Sequence, residues 1–335
     1  MSYPLIIQIM KQTKWFFILM AFVLCLGGLT ACGSDDDPEE GGGGSGSDVV
    51  NTDAARYEIT DPNADISFIE LTEGGQYFVG GDESDYGAKP MMARRAAQRA
   101  AESSDDGLHY GDYTKGANGE FVLNGYGTLV ITQNGETYVV KITPNGATTT
   151  KSYNARKVTS TVAASATAKK LCSTWKFQSV AYSFKAGSYT IFDFKANSMR
   201  DLAVKMKEKM KEISKKNGEE WTQEDEDSWN EQITYAYEDQ PDRLVFAASG
   251  SMYIRFGSHD WEKGLWRVPS GNKLEIWDWE DGTWTSDVFV SIDDTALEEG
   301  TSETTVDING NTLTITQTLR GSEGGVIKES MTYTK

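Results

Sequence analysis

The chain has 335 residues, a length that accommodates about two domains of ordinary size. Its formal net charge of −18 repels phosphate backbones, so we expect no nucleic-acid partner. Acidic side chains are so abundant, with 50 Asp and Glu residues, that a pair of carboxylates does not by itself indicate an active site.

The N-terminal segment has the features of an export signal. Two lysines precede an apolar run from Trp15 to Leu26, which is too short to cross a bilayer because a spanning helix needs about 20 apolar residues. The sequence Leu-Thr-Ala-Cys at 29–32 resembles the lipobox of bacterial lipoproteins. This resemblance implies that residues 1–31 are a signal peptide and that Cys32 becomes the lipid-carrying first residue of a membrane-anchored protein.

An acidic run follows the predicted lipidation site. Its first members are Ser34, Asp35, Asp36 and Asp37. A serine and acidic residues directly after a lipidated cysteine resemble the surface-export signal of Bacteroidota lipoproteins, which implies attachment to the outer membrane on the side that faces the cell surface. The alternative is a merely soluble, charged tether. Glycine and serine at 41–47 indicate that residues 32–53 form a flexible tether.

The three cysteines do not predict an internal disulfide. Cys25 lies in the predicted signal peptide, Cys32 is expected to carry lipid, and Cys172 remains alone. Because Cys172 lies between Leu171 and Trp175, we interpret it as a small buried hydrophobic residue. A reactive thiol is the alternative, and it requires exposure and a neighbouring cation.

Residues 54–158 have the pattern of an antiparallel β-meander domain. Short runs of β-branched and aromatic residues alternate there with turn residues. Three turns contain an Asn-Gly pair, at 124–125, 134–135 and 145–146, and this pair favours tight hairpins because both residues tolerate positive φ. The interruption at 88–106 is rich in alanine and arginine, and we interpret it as a surface excursion that is partly helical or disordered.

A second β series occupies residues 171–335, after a linker of small residues at 159–170. About eight to ten strands with hairpin turns are typical of an up-and-down barrel. Within it, residues 198–240 have a helical period. The apolar stripe of the first helix is Met199, Leu202, Met206, Met210 and Ile213. Thr-Gln-Glu-Asp at 222–225 resembles a capping box, so the insertion is predicted to be a helical hairpin.

Four short motifs in this region resemble bacterial lipocalin-like domains. They are Leu-Cys-Ser-Thr-Trp-Lys at 171–176, Met-Tyr-Ile-Arg-Phe at 252–256, Gly-Leu-Trp at 264–266 and Asn-Thr-Leu-Thr-Ile at 311–315. In that family an opening Leu-x-Gly-x-Trp strand precedes a strand pair with Gly-x-Trp and a late Asn-x-Leu strand. The resemblance implies a lipocalin-like antiparallel barrel over 171–335 that binds a small apolar molecule.

The sequence contains no recognisable catalytic motif, and we expect neither an enzyme nor a cofactor. His109 and His259 are the two histidines, and they fall in different predicted domains. Asp260 follows His259 directly, but adjacent strand residues point to opposite faces and do not orient each other. We expect no metal site, because the acidic residues at 278–281 fit a charged turn better than a calcium loop.

Tryptophans are the most informative side chains of the C-terminal region. Leu274 and Ile276 point to one face of a predicted strand, while Trp277 and Trp279 point to the other. One face should meet the barrel interior. The other is either covered by the helical hairpin or exposed as an aromatic platform that stacks on sugars. The predicted ligand-binding residues are Trp175, Trp266, Trp277, Trp279 and Trp284.

Two functions from different classes fit these features. The first is a lipid-anchored carrier or sensor that holds a small apolar ligand inside the C-terminal barrel. The second is a surface glycan-binding or adhesion module that uses exposed tryptophans, with a structural envelope role as the fallback. All three hypotheses place the membrane among the partners, through the lipid anchor.

Overall fold

A computed structural model describes residues 53–80, 108–159, 162, 165–236, 240–257, 260–278, 282–286, 301–321 and 324–335. The sequence predictions that lie outside these residues concern the signal peptide, Cys32, residues 34–37, the segment 88–106, His259 and Trp279. The described residues form two β-structures connected by a short helix.

The N-terminal β-structure is a closed barrel of eight antiparallel strands. These are β1 (Ala55–Ile59), β2 (Phe68–Leu71), β3 (Gln76–Gly80), β4 (His109–Lys115), β5 (Phe121–Leu123), β6 (Gly127–Asn134), β7 (Thr137–Pro144) and β8 (Lys151–Lys157). Each strand pairs with the next, and β8 also pairs with β1, where Tyr57 is opposite Lys157. The predicted antiparallel meander is confirmed, and its closure into a ring removes both sheet edges.

Local turn chemistry sets the register of the longest hairpin in this barrel. Asn134 ends β6 and is the partner of Thr137 at the start of β7. Gly135 lies in the turn with φ 63°, a left-handed conformation that glycine adopts without steric penalty. The two turn residues are therefore Gly135 and Glu136, one position later than the Asn-Gly pattern predicts, and two residues suffice to reverse the chain.

The interior of the N-terminal barrel is a packed core with many aromatic residues. Alternate residues of each strand point inward and form one buried apolar cluster. The Tyr77 hydroxyl donates to the Asn124 carbonyl at 2.8 Å, and the Tyr113 hydroxyl donates to the Thr72 carbonyl at 3.1 Å. Backbone carbonyls therefore satisfy the polar ends of these two buried rings.

The C-terminal β-structure begins with a short helix, α1 (Ala166–Leu171), in the segment that the sequence predicts as a linker. Ser165 caps this helix by accepting a hydrogen bond from the Ala168 amide at 3.0 Å. Ten strands follow, namely β9 (Ser173–Ala186), β10 (Tyr189–Ala196), β11 (Pro241–Phe246), β12 (Ser251–Phe256), β13 (Asp260–Arg267), β14 (Glu275–Asp278), β15 (Thr283–Thr285), β16 (Thr301–Asn309), β17 (Thr312–Arg320) and β18 (Gly325–Thr334).

These ten strands form one antiparallel sheet that curls until distant parts of it meet. The strand order is β15-β14-β13-β12-β11-β9-β18-β17-β16, and β10 pairs with the second half of β9. Just before β14, the Leu274 amide donates to the Thr304 carbonyl of β16 at 2.9 Å. The Val306 amide donates to the Asn272 carbonyl at the same distance. The interior face of this curled sheet encloses a single apolar core.

The predicted helical hairpin is present between β10 and β11. It consists of α2 (Met199–Lys216) and α3 (Gln223–Tyr235). Thr222 and Asp225 form a capping box at the start of α3, as the sequence predicts. Helix α2 packs against β10 and β9, and its buried Leu202 and Met210 join the apolar core of the curled sheet. The mainly β fold with an inserted helical hairpin is therefore confirmed.

An ion pair between a buried lysine and a partly exposed glutamate holds the two helices together. The Lys207 ammonium is almost fully buried and donates to Glu226 Oε1 at 2.5 Å and to Asn230 Oδ1 at 2.7 Å. Lys211 contacts the other carboxylate oxygen of Glu226 at 2.7 Å, and the Trp221 indole N–H donates to that oxygen at 2.9 Å. These hydrogen bonds, that of Lys207 first, lower the pKa of Glu226 to about 2.

The carboxyl group of Glu226 is therefore expected to titrate far below its ordinary pKa of 4.5. Because the folded-state pKa is the lower one, its stabilisation of the hairpin is complete above about pH 4.5 and is lost as the pH falls toward about 2. NMR titration of the Glu226 side chain measures this midpoint. Lys207→Met should raise it, whereas Lys205→Met, on an exposed lysine that donates to a backbone carbonyl, should leave it unchanged. A titration midpoint of Glu226 near 4.5 in the unaltered protein would refute the ion pair between the two helices.

The outer faces of the two β-structures pack against each other. Phe78 of β3 stacks on Tyr253 of β12 with ring centroids 3.6 Å apart, and Trp261 of β13 meets Phe78 edge to face at 5.3 Å. Phe68 and Val245 belong to the same buried cluster. The two β-structures are thus joined by a continuous apolar contact as well as by the chain between them.

A buried charged network lies beside this apolar contact. Glu70 of β2 is 1% exposed and accepts hydrogen bonds from Arg56 Nη1 at 3.3 Å, from the Tyr253 hydroxyl at 2.6 Å and from the Ser249 hydroxyl. The Arg56 guanidinium also lies 4.0 Å from the centre of the Phe68 ring. One carboxylate therefore links donors from both β-structures.

Candidate functional site

Two of the predicted ligand-binding tryptophans lie in the apolar core of the curled sheet. Trp175 and Trp266 are 0% and 1% exposed. The Trp175 indole N–H donates to the Leu171 carbonyl at 2.8 Å, and that of Trp266 donates to the Ala247 carbonyl at 3.1 Å. Both side chains therefore help to hold the fold together, and their contact with a ligand stays a prediction.

Two further predicted tryptophans meet at the edge of the sheet. Trp277 of β14 and Trp284 of β15 are paired across the strands, with ring centroids 5.4 Å apart in an edge-to-face arrangement. Both rings are half-buried, and the Arg267 guanidinium lies 4.4 Å from the centre of the Trp284 ring. The helical hairpin packs on β9 and β10, and an aromatic platform at Trp277 and Trp284 stays a prediction.

A row of polar side chains crosses the interior face of the curled sheet, and we call it the polar belt. Its members are Thr304 of β16, Gln317 of β17, Glu329 of β18 and Tyr182 of β9. Each is the direct cross-strand partner of the next, and all four are less than 8% exposed. Paired residues of neighbouring strands point to the same face, so the four groups form one continuous line.

Apolar rows flank the polar belt on both sides. One row contains Ile315, Met331 and Val180, and the other contains Leu319, Ile327 and Phe184. All six side chains belong to the buried core. The belt is therefore a narrow polar line in an otherwise apolar interior, which is how pockets that orient a small ligand are commonly lined.

Hydrogen bonds position two members of the belt. Gln317 Nε2 donates to the Ser302 hydroxyl at 3.3 Å, and the Thr304 hydroxyl donates to the Ser286 carbonyl. Burial, and after it the Glu329 carboxylate, raises the pKa of Tyr182, so this phenol stays protonated at neutral pH. The belt therefore presents an amide, two hydroxyl groups and a carboxyl group to the interior.

Sequence reasoning missed the polar belt, although the sequence contains a signal for it. Gln317 occupies the same strand parity as Ile315 and Leu319, and Glu329 occupies that of Ile327 and Met331. A polar residue at an inward position costs free energy unless it forms hydrogen bonds. A polar residue among inward apolar residues of a strand therefore indicates a buried polar group.

The titratable groups that the sequence singles out are apart from the belt. His109 is exposed, and its ring lies 4.7 Å from that of Tyr126. Burial, with the nearby Glu73 carboxylate, raises the pKa of Cys172 to about 12, so this thiol is protonated at neutral pH. Within the described residues, no group of three or more His, Cys, Asp or Glu side chains is placed to hold a metal ion.

Comparisons with known proteins add little to this geometry. No protein-family model and no curated protein matches the chain. Among solved structures, a protein of unknown function from the DUF3598 family of Nostoc punctiforme PCC 73102 is similar over 84% of this chain and 93% of that chain. Its sequence identity is 9% and its TM-score is 0.23, and so distant a likeness says nothing about function. In the described part of the chain, no helix has the length and apolarity for a bilayer crossing.

Proposed function

We propose that this chain is a non-catalytic, lipid-anchored protein of the outer membrane and cell surface that binds a small, mainly apolar molecule inside its curled sheet. The polar belt is the observation that carries this proposal. Its hydrogen-bonding groups can fix the polar end of a ligand, while the flanking apolar rows cover the remainder. The lipocalin-like motifs at 171–176 and 252–256 support the same function by resemblance.

The anchoring part of the proposal rests on the N-terminal sequence. The lipobox-like residues at 29–32 and the acidic run at 34–37 supply the two features of a surface lipoprotein. Hydrophobic insertion of acyl chains contributes about 0.8 kcal/mol per buried methylene, and more than one chain is needed for stable attachment. A cysteine that carries several chains would hold the protein at the bilayer.

Cys32→Ser is therefore expected to release the protein from membranes. The serine hydroxyl cannot replace the sulfur that receives the diacylglyceryl group, so the variant should lack every acyl chain. Fractionation of bacterial cells, with and without detergent, measures the distribution. Cys172→Ser is the matched control and should stay with the membrane fraction. If Cys32→Ser still sedimented with membranes, the anchor proposal would be wrong.

Dodecan-1-ol is expected to bind the curled sheet, because its hydroxyl group matches the belt and its chain matches the apolar rows. Emission from the buried Trp175 and Trp266 should change and saturate during a titration. Gln317→Leu removes one hydrogen-bonding group, so the Kd should rise roughly two- to twelve-fold, the equivalent of about 0.5–1.5 kcal/mol. Thr318→Val, on the other face of the same strand, is the control and should bind as the unaltered protein does.

A glycan-binding function is the alternative, and the paired rings of Trp277 and Trp284 favour it. Half-buried indoles beside a guanidinium offer both a stacking face and hydrogen-bond donors to a sugar. Retention on immobilised polysaccharides separates the two functions. Retention that Trp284→Ala abolishes, together with no response to dodecan-1-ol, would replace the carrier proposal by the glycan proposal.

A further inference from the structure

Charged residues of the curled sheet are distributed unequally between its two faces. Residues that share the parity of the buried core point inward on each strand. On the described strands β9 to β18, every lysine and arginine has the opposite parity. These residues are Lys176, Lys185, Lys195, Arg243, Arg255, Lys263, Arg267, Arg320 and Lys328. The described strands therefore direct no cationic side chain of their own toward the interior.

Two buried carboxyl groups of the described strands, in contrast, have the inward parity. Glu329 is 1% exposed and lies between Ile327 and Met331 on β18. Glu262 of β13 is also buried and is the cross-strand partner of Ile254, a residue of the same apolar core. The strands thus bring carboxyl groups into the core from two directions.

The charge of Glu329 acts on its interior neighbours. Burial is the largest cause that raises the pKa of Tyr182 and of Tyr333, and the Glu329 carboxylate is the second. Tyr182 is the cross-strand partner of Glu329, and Tyr333 lies four residues after Glu329 on the same face of β18. Lys335 follows β18 and is exposed, and its ammonium lies 5.1 Å from the centre of the Trp175 ring. Six residues separate it from Glu329, roughly 20 Å along an extended strand. The belt itself therefore contains a carboxyl group and no cationic side chain.

We infer that the molecule bound by the curled sheet has an apolar body and a protonated amine, and that Glu329 of the polar belt binds the amine. This inference rests on the proposed function and adds the charge of the ligand to it. An ammonium group offers three N–H donors, while the belt supplies the Glu329 carboxylate, the Gln317 carbonyl and the Tyr182 oxygen as acceptors. A carboxylate ligand at the same place would meet like charge, and so would be rejected.

The test compares three ligands of equal chain length on the full protein: dodecylamine, dodecan-1-ol and dodecanoate. At pH 7 and 0.5 M NaCl, where attraction to surface carboxylates is screened, the amine should bind at least roughly tenfold more tightly than the alcohol. Dodecanoate should bind more weakly than either. Equal or tighter binding of dodecanoate would overturn the inference and leave the proposed function intact. Failure of all three ligands would overturn both.

Glu329→Gln tests the assigned residue. The substitution keeps the shape and removes the charge, so the preference for dodecylamine over dodecan-1-ol should fall at least roughly tenfold. Asp307→Asn, an exposed position on the outer face of β16, is the matched control and should keep the preference. Circular dichroism verifies that each variant is folded. If Glu329→Gln does not fold, the comparison of the three ligands on the unaltered protein decides alone.

Discussion

Glu70→Ala is expected to lower the free energy of unfolding by about 3–5 kcal/mol, the usual effect of removing one partner from a buried charge pair. The substitution removes the carboxylate that lies 3.3 Å from Arg56 Nη1, while Glu58 Oε1 stays 4.0 Å from Nε of this guanidinium, which is 4% exposed. It also removes the acceptor of the Tyr253 and Ser249 hydroxyl groups. Urea unfolding followed by circular dichroism measures the loss.

Two further variants establish that the loss comes from burial of the charge. Tyr253→Phe removes one hydrogen bond to the carboxylate, and we expect a smaller decrease of about 1.5–3 kcal/mol. Glu303→Ala removes the partner of Lys273 in an ion pair whose side chains are about half exposed, and its effect should be clearly smaller because solvent screens such a pair. If Glu70→Ala and Glu303→Ala lowered the free energy of unfolding equally, the buried network around Glu70 would not contribute more to stability than an exposed ion pair.

Trp266→Ala is expected to lower the free energy of unfolding by about 3–5 kcal/mol, the range found when a large buried ring is removed. The Trp266 ring is 1% exposed and packs edge to face against Phe246, with centroids 5.1 Å apart. Its removal creates a cavity and leaves the Ala247 carbonyl without its indole donor. Thermal or urea unfolding measures this change.

The same variant separates a core role from a ligand-contact role for this residue. Trp284→Ala, at the half-buried edge of the sheet, is the matched control and should destabilise the protein clearly less. A stability change at position 266 no larger than that at position 284 would mean that Trp266 is not part of the core. Such a result would favour the prediction from sequence that Trp266 contacts a ligand.

The strand pattern was predictable because its signals are local. The turn at Gly135 and Glu136 reverses the chain directly after Asn134, and the capping box at 222–225 starts a helix through groups only three residues apart. Closure of the first barrel was not predictable, since it requires Tyr57 to pair with Lys157, one hundred residues away. Helix α1 in the predicted linker was missed because six residues form fewer than two turns, too few to show a helical period in the sequence.

The candidate site was only partly accessible to sequence reasoning. The inward parity of Trp175 and Trp266 follows from strand alternation, but their complete burial depends on the strands and helices that cover them. The polar belt joins Thr304, Gln317 and Glu329 on three strands with Tyr182, more than one hundred residues earlier in the chain. Such a row exists only once the register of every hairpin is known.

The amino-acid sequence by itself determined the class of fold, the helical hairpin and the turns, because short-range backbone preferences and side-chain periodicity encode them. It also supplies the whole basis for the predicted anchor at Cys32. The tertiary structure alone decided that the first barrel closes, that Glu70 joins the two β-structures and that four polar groups align across one interior. The physical reason is that burial and charge pairing depend on residues that are distant in the chain and adjacent in space.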